Sequence, residues 1–252
     1  MIRLHHTSKR FGSRKVLDDL CLEIRKGELF VLAGPSGTGK SVLLKHCVGL
    51  LRPDSGEVWV GGDDVASAHG KKLARIRERF GYLFQNGAML GWLSVFENIA
   101  LPLRERTRMG GAEIAARVND ALAKVGLEHD GQKFPSEISG GMQKRAGLAR
   151  AIVRDPEILL FDEPTSGLDP VTARAIERLI WTLNKKTGVT CVVVTHDLQG
   201  ALSIGDRIAL LAGGHVVECA KPADFINSRV EEARRFLDAQ FIKELPKPQE
   251  PL

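Results

Sequence analysis

Residues 34–41 read GPSGTGKS, and this octet constrains the fold more than any other stretch of the chain. It fits G-x-x-x-x-G-K-[ST] and follows LFVLA at 29–33, a continuous apolar run of the kind found in strands covered on both faces. Helical spacing follows it over residues 40–50, through Val42, Leu43, Lys45, His46 and Leu50. An ordinary glycine-rich turn needs no such flanks, whereas a phosphate loop requires a buried strand before it and a helix after it. Glycines let main-chain N–H groups face phosphate oxygens, and the helix N-terminus adds its dipole. Gly34, Pro35, Ser36, Gly37, Thr38 and Gly39 are therefore candidate phosphate-binding residues. Lys40 would reach the β and γ phosphates of a nucleotide, and the Ser41 hydroxyl would ligate Mg²⁺.

A second stretch, ILLFDE at 158–163, ends an apolar strand in two acids. Downstream of a phosphate loop, Asp162 is placed to hold Mg²⁺ and Glu163 to polarise an attacking water as general base. NKKT at 184–187 lacks the Asp of a guanine-selecting NKxD and reads as a solvated helix end.

The 252 residues suit one large α/β domain, or a main domain with a small subdomain. Short strand candidates occupy 20–24 (LCLEI) and 57–60 (EVWV). From about Leu90 to Pro135 the texture turns helical, with VFENIALPL and AEIAARVNDALAKVGL as helices and no strand. Strand–helix alternation then resumes through ILLF, a helix over about 171–186, TCVVVTH and DRIALLAGGHVVE, which argues for a mostly parallel sheet. Residues 229–241 place Val230, Ala233, Phe236, Leu237 and Phe241 on one face of a C-terminal helix, and the closing PKPQEPL reads as disordered. The net charge of +5 is too diffuse to argue for nucleic acid. Four cysteines without a CxxC pair, each among apolar neighbours, read as buried reduced thiols of a cytosolic protein. No leader is visible at MIRLHHTSKRF, and no apolar run nears the roughly 20 residues that span a bilayer.

Between the two acid- and phosphate-handling stretches lies PSEISGGMQKRAGLARAIV at 135–153, where Ser139, Gly140 and Gly141 open a helix. With it, six elements stand in one order: GPSGTGKS, Gln85 in YLFQN, ISGGM, ILLFDE, SGLD at 166–169 and His196 in VVVTHD. This order resembles the ATP-binding subunits of ABC transporters over about residues 2–225. The resemblance implies a P-loop α/β domain over 1–228 with a mostly parallel core sheet, an N-terminal antiparallel β subdomain and a helical subdomain at about 88–150. It implies ATP and Mg²⁺ as ligands, with Phe11 stacking on adenine and Gln85 touching Mg²⁺ or the water. His196 would contact the γ-phosphate. It further implies head-to-tail pairing of two copies, in which Ser139, Gly140 and Gly141 face ATP on the opposite protomer and Asp169 bridges the two. A peripheral place on the cytoplasmic face of the inner membrane follows, with an integral permease as partner.

Met142 departs from the family's usual Gln. SGGM together with FQNGAMLGWLSVFENIALPLRE at 84–105 resembles the branch that powers phospholipid trafficking with Mce-domain proteins, the Mla and toluene-tolerance systems. The alternative for Met142 is an unbranched apolar residue filling space beside the helix, but the agreement of two separated segments favours the branch resemblance. The segment after Gln85 is the expected coupling surface, with Met89, Leu90, Trp92, Leu93 and Phe96 forming a groove for a permease helix, and a packed subdomain core is the rival account for Leu93 and Phe96. Rival readings are an ATPase for another solute, such as amino acids or metal chelates, and a non-transport ABC ATPase, although the long coiled coils or tandem cassettes of the latter are not seen.

Overall fold

The computed structural model describes residues 1–85 and 87–246. Asn86, and the expected disordered tail from Lys247 on, lie outside the described residues. Strands β1 (Ile2–Phe11) and β2 (Arg14–Ile24) alternate buried and exposed positions over much of their length, the pattern of strands with one wet face. β3 (Leu29–Ala33) is buried at every residue. Gly39 in left-handed backbone starts α1 (Lys40–Cys47). The helix expected to reach residue 50 stops at Cys47. Gly49 adopts φ +64°, where a Cβ would meet Leu73 Cδ1 at 2.5 Å, so the chain turns there and leaves Leu50 exposed.

β4 (Ser55–Val60) and β5 (Asp63–Asp64) complete an antiparallel sheet of order β2-β1-β4-β5. α2 (Gly70–Glu78) and β6 (Phe80–Leu83) lead into the helical stretch, α3 (Val95–Arg106), α4 (Gly111–Lys124) and α5 (Gly140–Ile152). β7 (Ile158–Asp162), α6 (Pro170–Thr187), β8 (Thr190–Thr195), α7 (Leu198–Ile204) and β9 (Arg207–Ala212) restore the alternation. β10 (His215–Ala220), α8 (Pro222–Phe225) and α9 (Glu231–Ala239) close the described chain. The second sheet has the order β10-β9-β3-β8-β7-β6, parallel throughout except for the antiparallel edge strand β10. Among the described residues no helix is long and apolar enough to cross a membrane.

This sheet divides the interior into two cores. One face packs with α1 and the antiparallel sheet, through Phe30, Leu32, Leu43, Ile158 and Val192. The other packs with the helical stretch and α6, through Val31, Ile99, Leu122, Phe161 and Ile180. Ala233 and Leu237 of α9 enter this second core, so the C-terminal helix docks on its own chain. Phe241, expected on the packed face of that helix, lies beyond its end in left-handed backbone and is 89% exposed. The cysteines also divide. Cys47 and Cys191 are buried, whereas Cys21 and Cys219 are exposed because they point outward from strands.

Within the helical stretch, α3 opens on a capping box in which Ser94 Oγ accepts from Glu97 N, and Glu97 Oε2 accepts from Ser94 N. Asn98, fully buried, then knots the preceding loop to the helix. Its amide nitrogen donates to the carbonyls of Leu90, Leu93 and Ser94 at 3.0 Å each, and its oxygen accepts from Leu90 N at 2.7 Å. Asn98→Ala strands the Leu90 amide and two loop carbonyls, and is expected to lower unfolding stability by about 2–4 kcal/mol. A urea midpoint unchanged from wild type would show that water reaches those groups.

Candidate nucleotide site

Parallel neighbours end on the same edge of a sheet, and here that edge collects the chemistry. Ala33 pairs with Thr195 across β3 and β8, and Asp162 pairs with Val194 across β7 and β8. The loops after these strands therefore set Gly34–Lys40, Glu163 and His196 side by side at the carboxyl ends, where open α/β sheets bind ligands. Phe11, Ser36, Gly37, Gly39, Lys40, Ser41, Gln85, Glu163 and His196 line one cavity of about 520 Å³.

The loop's glycines are required by geometry. Gly34 has φ +154°, and a Cβ there would meet Leu211 O at 2.5 Å. Gly39 has φ +104°, with Val16 Cγ1 at 2.7 Å from the same virtual atom. Thr38 Oγ1 donates to Pro35 O at 2.9 Å, which closes the turn. Lys40, 5% exposed, donates from Nζ to Gly34 O at 2.8 Å and Pro35 O at 3.0 Å, and lies 3.7 Å from Glu163 Oε1. Burial pulls its pKa below the usual lysine range, opposed by the Glu163 and Asp162 carboxylates.

Ser41 Oγ donates to Asp162 Oδ1 at 2.8 Å, so a hydroxyl and a carboxylate converge on one point. Hard oxygen donors of this kind suit Mg²⁺, which takes few protein ligands and fills its shell with phosphate oxygens and water. Among the described residues there is no cluster of three or more His, Cys, Asp or Glu side chains that would cage a metal without substrate. Glu163 occupies left-handed backbone at φ +50°, a conformation that costs an ordinary side chain energy and gathers at functional sites. Its Oε2 lies 2.8 Å from His196 Nδ1.

Several residues that hold this site carry no motif. Arg14 donates to Gly37 O at 2.7 Å and pins the phosphate loop to the antiparallel sheet. Tyr82 donates to Asp162 Oδ2 at 3.3 Å. Lys144 on α5, 6% exposed, donates to the backbone carbonyls of Gln85 and Glu163. In the sequence Arg14 stands alone, and Tyr82 in YLFQN and Lys144 in GGMQKR sit in quoted stretches without a role of their own, so only the folded chain brings them to the site.

Ser139, Gly140, Gly141 and Asp169 are not among the residues lining the cavity. Ser139 caps α5, accepting from Met142 N at 3.3 Å, and Asp169 caps α6, accepting from Val171 N and Thr172 N at 3.0 Å each. The glycines differ. A Cβ on Gly141 would meet Thr172 Cγ2 at 2.5 Å, so close helix packing demands Gly141, whereas Gly140 has only Leu168 at 3.8 Å. The coupling groove also differs from its sequence expectation. Met89 and Phe96 pack on the core and Trp92 is 75% exposed. A groove of about 650 Å³ is instead lined by residues including Phe80, Tyr82, Phe84, Leu101, Pro102, Glu105 and Arg154.

Behind the His196 loop, Glu177 is buried, and its Oε2 accepts from Arg174 Nη1 at 2.6 Å, with Asp197 Oδ2 3.8 Å from the same nitrogen. Burial first, with the Asp197 carboxylate adding to it, outweighs Arg174 and pushes the Glu177 carboxyl up to about 7. A raised acid binds its proton more tightly folded than unfolded, so this group costs stability progressively as pH climbs from the ordinary glutamate range through about 7. Glu177→Gln is expected to flatten that decline, giving a higher melting temperature than wild type at pH 8 and little difference at pH 5. Parallel stability–pH curves for the two proteins would remove Glu177 as the source.

A glycine loop with a buried lysine, beside a paired acid and an imidazole, defines a P-loop nucleotide site. A family model described as "ABC transporter" matches residues 17–166. The chain is 44% identical over 241 residues to "Probable ribonucleotide transport ATP-binding protein mkl" of Mycobacterium tuberculosis, covering 96% of this chain and 67% of that protein. It is 42% identical over 241 residues to "Methionine import ATP-binding protein MetN" of Carboxydothermus hydrogenoformans, covering 93% of this chain and 70% of the relative. Among solved structures, a dimeric post-hydrolysis state of the ATP-binding cassette MJ0796 bound to ADP and Pi aligns with a TM-score of 0.81 at 35% identity, over 88% of this chain and 99% of that one. The chain belongs to the ABC transporter family, as an ATP-binding subunit.

Proposed function

We propose that this chain is the ATP-hydrolysing motor of an ABC transporter, and that its cargo is phospholipid. The observation that carries the hydrolytic reading is the convergence of Lys40, the Ser41–Asp162 pair, Glu163 and His196 on one cavity. Lys40 exchanges the carbonyls of Gly34 and Pro35 for phosphate oxygens, and the loop amides hold the remaining phosphate charge. Phe11 offers its ring to the base. Ser41 and Asp162, with Gln85, would hold Mg²⁺, which would supply charge neutralisation at the phosphates. Glu163 accepts the proton of the attacking water at its carboxylate, and His196, bonded to the other carboxylate oxygen, fixes its aim.

Two copies complete the site. Among the described residues no neighbour of Gly140 forbids a side chain, and MJ0796 is described as dimeric. Both fit a Ser139–Gly140–Gly141 edge, assisted by Asp169, that approaches ATP on a partner copy through bare helix N–H groups. Gly140→Ala is accordingly expected to keep monomer stability within about 1 kcal/mol while ATP-dependent dimerisation falls at least tenfold. An unchanged dimer yield by gel filtration with ATP, with Glu163→Gln present in both proteins so that the dimer accumulates, would sink the head-to-tail reading.

The phospholipid cargo rests on the resemblance of residues 84–105 and SGGM to the Mce-linked branch. Met142 is part-buried against the core, so packing accounts for it and segment 84–105 carries more of the weight. The permease helix docks in the groove beside Phe84, at the cytoplasmic face of the inner membrane. A second reading, import of another small solute, is favoured by the MetN likeness. Affinity purification of the tagged chain from detergent-extracted membranes tests both. Recovery of an integral permease with an Mce-domain protein supports phospholipid trafficking. A permease with a soluble amino-acid receptor supports the second reading, and recovery of the chain with no permease overturns both.

A further inference from the structure

The loop that carries His196 is gripped from outside by the last turn of the C-terminal helix. Gln240 caps α9 at its C-terminus, and its side-chain amide spans the loop. Nε2 donates to His196 O at 2.8 Å, and Leu198 N donates to Gln240 Oε1 at 2.9 Å. One amide thus satisfies both a carbonyl and an N–H of the same turn, as a neighbouring strand would. The grip is rigid at both ends. On the loop side, Leu198 is fully buried, Asp197 N donates to Thr195 Oγ1 at 2.9 Å, and Asp197 caps α7 through Gly200 N at 3.0 Å.

On the helix side, Ile242 N donates to Leu237 O and Phe241 N to Asp238 O, with Phe241 in left-handed backbone. This is the paired-bond motif that ends a helix tightly. Leu237 and Ala233 anchor the same turn in the core. Gln240 does not line the nucleotide cavity, and it lies well past the residues the family model matches.

We propose that Gln240 is a positioning residue for hydrolysis, holding the His196 backbone so that the imidazole stays on Glu163. This rests on the reading of His196 and Glu163 given above. The docking of α9 then sets how well the water-activating pair is aligned, and a structural tail outside the motifs governs turnover.

The test uses the full-length chain and two variants, Gln240→Met, which keeps length and packing without the amide, and His196→Ala. Gln240→Met is expected to lower kcat on the order of tenfold, the worth of a lost pair of modest hydrogen bonds, with KM for ATP within about twofold because no nucleotide contact is lost. Independently of ATP, hydrogen–deuterium exchange of the Leu198 amide should speed up by roughly tenfold. In a His196→Ala background, Gln240→Met should lower kcat no further. Wild-type kcat in Gln240→Met, alongside a His196→Ala variant that is slow, would overturn the proposal while sparing the His196 reading. An equal loss of kcat in both backgrounds would overturn it as well, since Gln240 would then act elsewhere. Normal turnover by His196→Ala would bring down the underlying reading and the proposal together.

Discussion

Glu163→Gln protein is expected to bind ATP about as well as wild type and to turn it over some 10³-fold more slowly. The exchange is isosteric and keeps an oxygen able to accept from His196 Nδ1, which lies 2.8 Å from the native carboxylate. The left-handed backbone at residue 163 is no worse for Gln than for Glu. What disappears is the proton acceptor. ATP that binds but is not cleaved should hold two copies together, so gel filtration with ATP and Mg²⁺ is expected to show an accumulated dimer that wild type resolves. Normal turnover by the variant would end the assignment of Glu163 as general base.

Lys40→Ala should act one step earlier. Its ammonium is the only cation that lines the cavity from within the phosphate loop, and it is held on the carbonyls of Gly34 and Pro35. Losing it removes a charge-assisted contact to phosphate, and ATP affinity is expected to fall at least about 100-fold, with hydrolysis undetectable. The fold should survive, because burial already disfavours the charged lysine and the glycine geometry of the loop does not depend on its side chain. Titration with a fluorescent ATP analogue, paired with a thermal melt, separates the two. Lys40→Arg should not rescue, since a planar guanidinium cannot reproduce a compact ammonium at a position buried as Lys40 is. Wild-type affinity in Lys40→Ala would show that the loop amides alone hold the phosphates.

Elements buried on both faces were the readable part of the sequence. LFVLA, ILLFD and TCVVVT each became a strand of the parallel sheet with nearly every residue buried, and the two helices between Leu90 and Pro135 formed where their spacing placed them. Half-wet elements were harder. β1 reads IRLHHTSKRF, and its alternation breaks at a bulge beside His6, which sits at φ +48°. α2 buries only Ile76, so periodicity had one residue to work with. The candidate site was legible as far as its motifs, because loop glycines and strand-end acids declare their chemistry in order. Arg14, Tyr82, Lys144 and Gln240 were not, because each acts through a contact across 20 or more residues of sequence. Apolar residues after Gln85 were ambiguous for a related reason: Phe96, for which core packing was the rival reading, and Met89 are partly buried against the core.

Lys144 stands on the helix that begins at Ser139, and its ammonium is bonded at once to the backbone of Gln85 and of Glu163. It works as a strut between three parts of the molecule. Both carbonyls meet one ammonium, so the residue next to Phe84 of the groove and the residue that faces His196 are tied to a single point on α5.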